Sequence, residues 1–218
     1  MAPAILSVSL LLKPPFSNPK LIRIFERLRE FMSETSVQFG KVISECRNLF
    51  SKKMQDYGAA WRVLRPSSIT DQIYIKVNRI RTLQMTDKKM VDESEEDEFI
   101  AIVNYSIIGL IQLEKGLSND FNENREEIIA LYDKYAQEAL ALMERKNHDY
   151  GEAWRDMRIT SITDLIYQKV LRTKQIEDNQ GKTIVSEGLD ANYFDMLNYA
   201  VFCLIKFSEK KMNTEPKK

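Results

Sequence analysis

Along most of this chain, apolar and polar residues alternate with the period of an α-helix. Phe39, Val42, Ile43, Cys46 and Leu49 stand at i, i+3, i+4, i+7 and i+10, which predicts an amphipathic helix over about 35–54. Asp56-Tyr57-Gly58 closes it, because glycine readily takes the left-handed conformation that follows a helix C-terminus. A second helix is expected from Ser68, where Ser-Ile-Thr-Asp approximates a capping box and Ile73, Val77 and Ile80 follow at helical spacing. A polar stretch, roughly 85–95, separates it from a third helix, roughly 96–115, that is apolar nearly all round from Phe99 to Leu113.

The pattern then restarts. Residues 50–83 and 143–176 align without a gap at an offset of 93, with 17 of 34 positions identical. The stripe returns as Tyr132, Tyr135, Ala136, Ala139 and Leu142, the turn as Asp149-Tyr150-Gly151, and the second-helix start as Ser161–Asp164. Tyr193–Phe207 is the second all-round apolar helix. The expected fold is all-α: two tandem three-helix repeats packed as one pseudo-twofold helical bundle, the two third helices at its centre. Repeat 1 is placed at 34–116 and repeat 2 at 127–212, with 117–126 as a Gly/Ser/Asn/Asp-rich linker and 213–218 as a disordered tail. Residues 1–33 read as a disordered extension, with Met32 as an alternative start. The apolar run Ile5–Leu12 is too short to span a bilayer and lacks a basic flank.

Composition narrows the function classes. With 32 basic and 32 acidic residues there is no global field to gather nucleic acid or an anionic membrane. Cys46 and Cys203 make neither a disulfide framework nor a metal spacing, which suits a reducing, cytoplasmic setting. The lone histidine, His148, excludes multi-histidine metal sites. There is no Gly-rich phosphate loop and no nucleophile elbow.

Three constellations carry candidate chemistry. Lys146, Asn147, Asp149 and Tyr150, with Trp154 and Arg155 a turn later, offer phosphate contacts, a carboxylate and stacking surfaces. Their first-copy equivalents are Lys53, Asp56, Tyr57, Trp61 and Arg62, and the bland reading is a rigid helix-ending turn. Lys169 and Arg172, matched by Lys76 and Arg79, share a helix face and either clamp a phosphate or are solvated. Asp164 and Asp71 upstream read more simply as caps. The third constellation lies in the third helices. Asn104 and Asn198 match at an offset of 94, Asp195 stands three residues before Asn198, and Ala101 takes that place in the first copy. Glu187 matches Glu93, and Asp190 lies opposite Glu96. Oxygen donors of this kind suit Mg²⁺ or Mn²⁺, or else an inter-helix hydrogen-bond network.

The paired Lys-x-x-Asp-Tyr-Gly-x-x-Trp segments, the Asp-x-x-x-x-Lys-x-x-Arg helix and the closing Asp-x-x-Asn-Tyr-Ala helix resemble the first nucleotide modification associated domain family. The resemblance runs over about Ser36–Ser208, in the tandem form of Bacteroidetes-type bacteria. It implies an α-helical domain linked to modification of DNA bases or their nucleotide precursors. A weaker similarity, to all-α NTP pyrophosphohydrolases (MazG-like), implies magnesium on helical carboxylates. From these resemblances the expected function is nucleotide binding, extending to Mg-dependent processing of an NTP or modified nucleotide. Glu187, Asp190 and Asp195 would then be catalytic, and Glu187, Asp195 and Asn198 would hold the metal. Two alternatives are a non-catalytic binding or assembly module and a DNA-binding accessory protein. Because Met54, Gln55 and Ala101 become Asn147, His148 and Asp195, the second copy is expected to carry the richer site.

Overall fold

The computed structural model describes residues 34–86, 90, 92–120 and 123–214; the readings of 1–33 as an extension and of the last residues as a tail fall outside that range, wholly and in part. Among the described residues six helices form: α1 (Glu34–Tyr57), α2 (Pro66–Thr86), α3 (Glu95–Lys115), α4 (Arg125–Tyr150), α5 (Ile159–Asp178) and α6 (Leu189–Thr214). Short 3₁₀ turns, Ala60–Val63 and Ala153–Asp156, join α1 to α2 and α4 to α5. No strand occurs among the described residues, so the fold is all-α. No helix among them is long and apolar enough to cross a membrane.

The helix ends follow local chemistry, with corrections. Gly58 and Gly151 take positive φ of 61° and 63° after α1 and α4, which glycine alone adopts freely; Gly151, with ψ of −167°, is extended rather than left-handed helical. The Ser-Ile-Thr-Asp runs, however, do not cap α2 and α5. Those helices start earlier, at Pro66 and Ile159, and the α5 cap residue Arg158 makes no side-chain capping bond. Proline at the first helical position has its φ preset and no N–H to lose, so it starts α2 without a Ser cap. The capping box of this chain sits at α3, where Ser94 and Asp97 bond each other's backbone N–H.

The α1 stripe also shifts at its end. Leu49 is partly exposed, whereas Phe50 and Met54 are buried, and in α4 it is Met143 that is buried. A 3.6-residue period carries the stripe from Cys46 to Phe50 by i+4, not to Leu49 by i+3.

As the all-round apolar pattern predicts, α3 and α6 form the central and most extensive packed pair. Exchanging the two copies maps α2·α3 onto α5·α6 and α1·α6 onto α4·α3, while α3·α6 and α2·α5 map onto themselves. Gly109 lets α3 approach α6 closely. A Cβ there would come within 2.6 Å of the Tyr193 ring. Across the pseudo-axis α2 faces α5 through reciprocal contacts. Tyr74 stacks on its own counterpart Tyr167 at 6.0 Å. Asp71 pairs with Lys174 at 2.5 Å, and Asp164 with Arg81 at 3.2 Å. Asp71 and Asp164 therefore pair across the pseudo-axis at its exposed rim.

The two interior asparagines serve packing. Asn104 donates to the Cys46 carbonyl at 3.2 Å and accepts from the Tyr132 hydroxyl at 2.8 Å. Asn198 donates to the Ala139 carbonyl at 3.3 Å, but its oxygen has no hydrogen-bond partner among the described residues. The counterpart of Tyr132 is Phe39, which has no hydroxyl to give. Cys46 and Cys203 are free and buried, and burial pushes both thiols well above their usual range.

Candidate functional site

In each copy one buried carboxylate pairs with two members of a matched set of three cations. The first-copy set is Lys53 near the end of α1 with Lys76 and Arg79 on α2; the second-copy set is Lys146, Lys169 and Arg172. In the second copy the acid is Asp195, 6% exposed, whose Oδ1 lies 2.6 Å from Lys146 Nζ and whose Oδ2 lies 2.6 Å from Lys169 Nζ. Burial alone would lower the Lys146 pKa, but the hydrogen bond and charge of Asp195 outweigh it and hold the ammonium above its usual range.

In the first copy the position of Asp195 is Ala101, yet the acid is not missing. Glu98, one turn earlier on α3 and 1% exposed, lies 3.1 Å from Lys76 and pairs with Arg79. Its second-copy counterpart is Asn192. The carboxylate has thus moved one helical turn, and the longer glutamate side chain reaches the same lysine. The sequence signal was a complementary exchange, Glu98/Ala101 against Asn192/Asp195, visible only when both positions are read together.

The move changes which cation is left over. In the second copy Lys146 and Lys169 are both bound and Arg172 has no ion-pair partner among the described residues. In the first, Lys76 and Arg79 are bound, and Lys53 has no ion-pair partner among the described residues.

It also changes the space. With alanine at 101, a cavity of about 590 Å³ opens between the end of α1, its 3₁₀ turn and the start of α3. Phe50, Tyr57, Trp61 and Tyr105 give it aromatic walls, and Leu49, Met54, Leu64 and Ile108 add apolar ones. Lys53, Lys76, Glu93, Asn104, Asp92, Asp97 and Glu98 supply the polar lining. Of the first-copy candidates, Lys53, Tyr57, Trp61, Lys76, Glu93 and Asn104 therefore converge, while Asp56 is exposed and does not line the cavity. Tyr57 is held above the usual tyrosine range by partial burial and by the neighbouring Tyr105 and Asp56. Phe50, Tyr105 and Glu98 were not anticipated.

The second-copy candidates gather less well. Lys146, Glu187, Asp190 and Asp195 line a cleft of about 350 Å³ with Glu138, Arg145 and Phe194. Asn147 turns back to Met143 Sδ at 3.0 Å, and His148 and Asp149 pair with each other in solvent. Tyr150 is 77% exposed. Trp154 is buried and stacks on Phe202 at 4.3 Å, so it belongs to the core and is no platform for a base. Arg62 and Arg155 pin the 3₁₀ turns. Arg62, buried, bonds Gln112, the Gly116 carbonyl and Glu123, and Arg155 bonds Glu152, Glu209, Thr35 and Gln38.

The donors do not suit a resident divalent ion. Asp195 has given one oxygen to each of two ammoniums, and Asn198 bonds the α4 backbone. Among the described residues no group of three or more His, Cys, Asp or Glu is arranged to hold a metal.

Among known families, the model described as Nucleotide modification associated domain 1 matches this chain twice, over residues 53–113 and 146–207. Each match opens on one of the paired lysines, Lys53 or Lys146, and runs through most of α3 or α6. No curated protein and no solved structure matches the chain.

Proposed function

The chain belongs to the nucleotide modification associated domain 1 family, and we propose that it binds a nucleotide in the first-copy cavity, with the second copy acting as its closed counterpart. The observation that carries this reading is the exchange at Ala101. Where the second copy fills the space with a carboxylate that neutralises Lys146, the first copy leaves an aromatic-walled cavity and, among the described residues, a Lys53 without an ion pair. A volume of about 590 Å³ falls within the usual range for small-molecule sites, roughly 300–1,000 Å³. Tyr57, Tyr105 and Trp61 offer faces for a base, each stacking contact contributing about 1–3 kcal/mol. Lys53 offers a phosphate contact. Glu98 holds Lys76 in place from beneath.

The role is binding; no hydrolytic step is assigned, since the acids expected to carry it are either exposed or tied to lysines.

Glu98→Asn combined with Ala101→Asp tests the reading. The pair copies Asn192 and Asp195 into the first copy, with one carboxylate within reach of Lys53 and Lys76 as Asp195 is of Lys146 and Lys169, and so closes the site while keeping a single buried acid on α3. In calorimetric titration and thermal shift with a nucleotide panel, the parent protein is expected to bind and the variant to lose binding with no loss of melting temperature. Equal binding by both proteins would place the nucleotide elsewhere.

A further inference from the structure

We infer that the first-copy cavity selects a base with an exocyclic carbonyl, at C6 of a purine or C4 of a pyrimidine, over one with an amino group there, and that Lys76 reads the difference. The inference rests on the nucleotide reading above and adds the class of base.

Depth in the cavity decides which end of the ligand goes where. Lys53 and Tyr57 are exposed and stand at its mouth. Asn104 is 8% exposed and Glu98 1%, so they lie at its floor. The Lys76 side chain, 25% exposed, reaches in from α2 and meets Glu98 at 3.1 Å. A nucleotide with its phosphate on Lys53 therefore enters base first between the aromatic walls. Its leading atoms are those farthest from the sugar, C6 of a purine or C4 of a pyrimidine with their substituents.

Donors are what those atoms meet. A lysine ammonium carries three N–H donors and no acceptor. Glu98 is the ion-pair partner of Lys76 among the described residues, which leaves donors over for the cavity. Glu98 is in no position to receive an amino group, because one of its oxygens is taken by Arg79 and the other, against Lys76, is closed off from solvent. Asn104 has its oxygen engaged by the Tyr132 hydroxyl and one N–H by the Cys46 carbonyl, with its second N–H still to give. A base carbonyl satisfies such donors, whereas an amino group sets donor against donor. The same chemistry pairs lysine with the O6 and N7 acceptors of guanine, where adenine and cytosine present an NH₂ group instead. Lys76 already shares its charge with Glu98 and so serves as a hydrogen-bond donor, while the phosphate keeps Lys53. The second copy lacks this reader: Lys169 lies 2.6 Å from Asp195 and does not line the second-copy cleft.

The experiment is calorimetric titration of the full chain with two matched pairs of deoxynucleoside 5′-monophosphates, hypoxanthine against adenine and uracil against cytosine. Within each pair the bases have the same size and differ in the carbonyl or amino group. In each pair that the cavity admits, the carbonyl member is expected to bind at least about fivefold more tightly. Lys76→Met is expected to bring the carbonyl member down to the affinity of its amino partner, a loss of preference that a merely structural defect, lowering both alike, would not produce. The parent series decides without any variant. Equal affinity within the pairs, or tighter binding of the amino members, would overturn the inference while the nucleotide reading stands. A preference that survives Lys76→Met would overturn the part given to Lys76. Failure of all four nucleotides to bind would overturn the nucleotide reading itself.

Discussion

Removing Asp195 measures what the migrated carboxylate is worth. In Asp195→Ala the two ammoniums that it neutralises lose their counter-charge. They are not equal: the Lys169 side chain is 15% exposed and Lys146 is 47% exposed. Breaking a buried ion pair by deleting one partner typically costs about 3–5 kcal/mol, whereas an exposed pair is worth about 0–1 kcal/mol. Lys146 can turn into water, so most of the cost falls on Lys169, and the expected loss is about 2–3 kcal/mol. For a chain of this size that lowers the melting temperature by roughly 4–12 °C.

The informative variant is the double change Asn192→Glu with Asp195→Ala, which copies the first-copy arrangement into the second. The carboxylate introduced at position 192 would pair with Lys169 and Arg172 as Glu98 pairs with Lys76 and Arg79. The Asn192 bond to the Gly188 carbonyl is lost, about 1 kcal/mol. Asn192→Glu alone adds a second buried acid beside a lysine already engaged, so it too destabilises. In urea unfolding the double variant is expected to be at least about 1 kcal/mol more stable than the sum of the single changes predicts. Effects that add within about 0.5 kcal/mol would mean that the two acid positions do not substitute for each other, and the account of Ala101 and Glu98 would fail with them.

Two further outcomes follow from the packing. Phe39→Tyr should place a hydroxyl against the Asn198 oxygen, which has no partner among the described residues, as Tyr132 does for Asn104, and raise unfolding stability by about 1 kcal/mol, with Tyr132→Phe losing about 1–3 kcal/mol in the same assay. Glu177 sits half-buried against Thr70, and burial raises its carboxyl pKa despite that hydrogen bond. A raised acid favours the folded state while it is protonated and penalises it as pH rises through the folded pKa. Glu177→Gln should therefore raise the melting temperature at neutral pH and converge with the parent below the unfolded carboxylate range, near pH 4.

The architecture was legible because helical periodicity and an internal repeat are both local patterns. The centre of the bundle could be read from two helices with no polar face. The site was harder for a physical reason. Identity between the copies at Asp71/Asp164 and Tyr74/Tyr167 marks residues that touch across the pseudo-axis, where a symmetric interface needs the same group twice. The identical Ile69, Ile73 and Val77, with their partners, are wholly buried. The paired arginines of the turn look like phosphate ligands in sequence, yet they direct their donors to local acids and carbonyls. Trp61 and Trp154 are identical letters in unlike places, one on a cavity wall and one in the core, because what packs on them comes from α3 and α6, where the copies differ.

Residues shared by the copies therefore report mostly on architecture, and the ligand site has to be sought where the copies disagree. A fused duplication makes such divergence possible at little cost in stability. One site can keep its acid and two lysines as a brace, because Asp195 ties α6 to both α4 and α5. The other can shift its acid by one turn and still hold α3 to α2 through Lys76 and Arg79. The shift leaves each copy with one such buried carboxylate but releases one lysine and the volume beside it. A homodimer of a single repeat could not do this, since any change that opened one site would open both. The asymmetry between Ala101 and Asp195 is thus what the tandem arrangement makes available, and the paired change at Asn192 and Asp195 asks whether the closed copy can be opened by the same step.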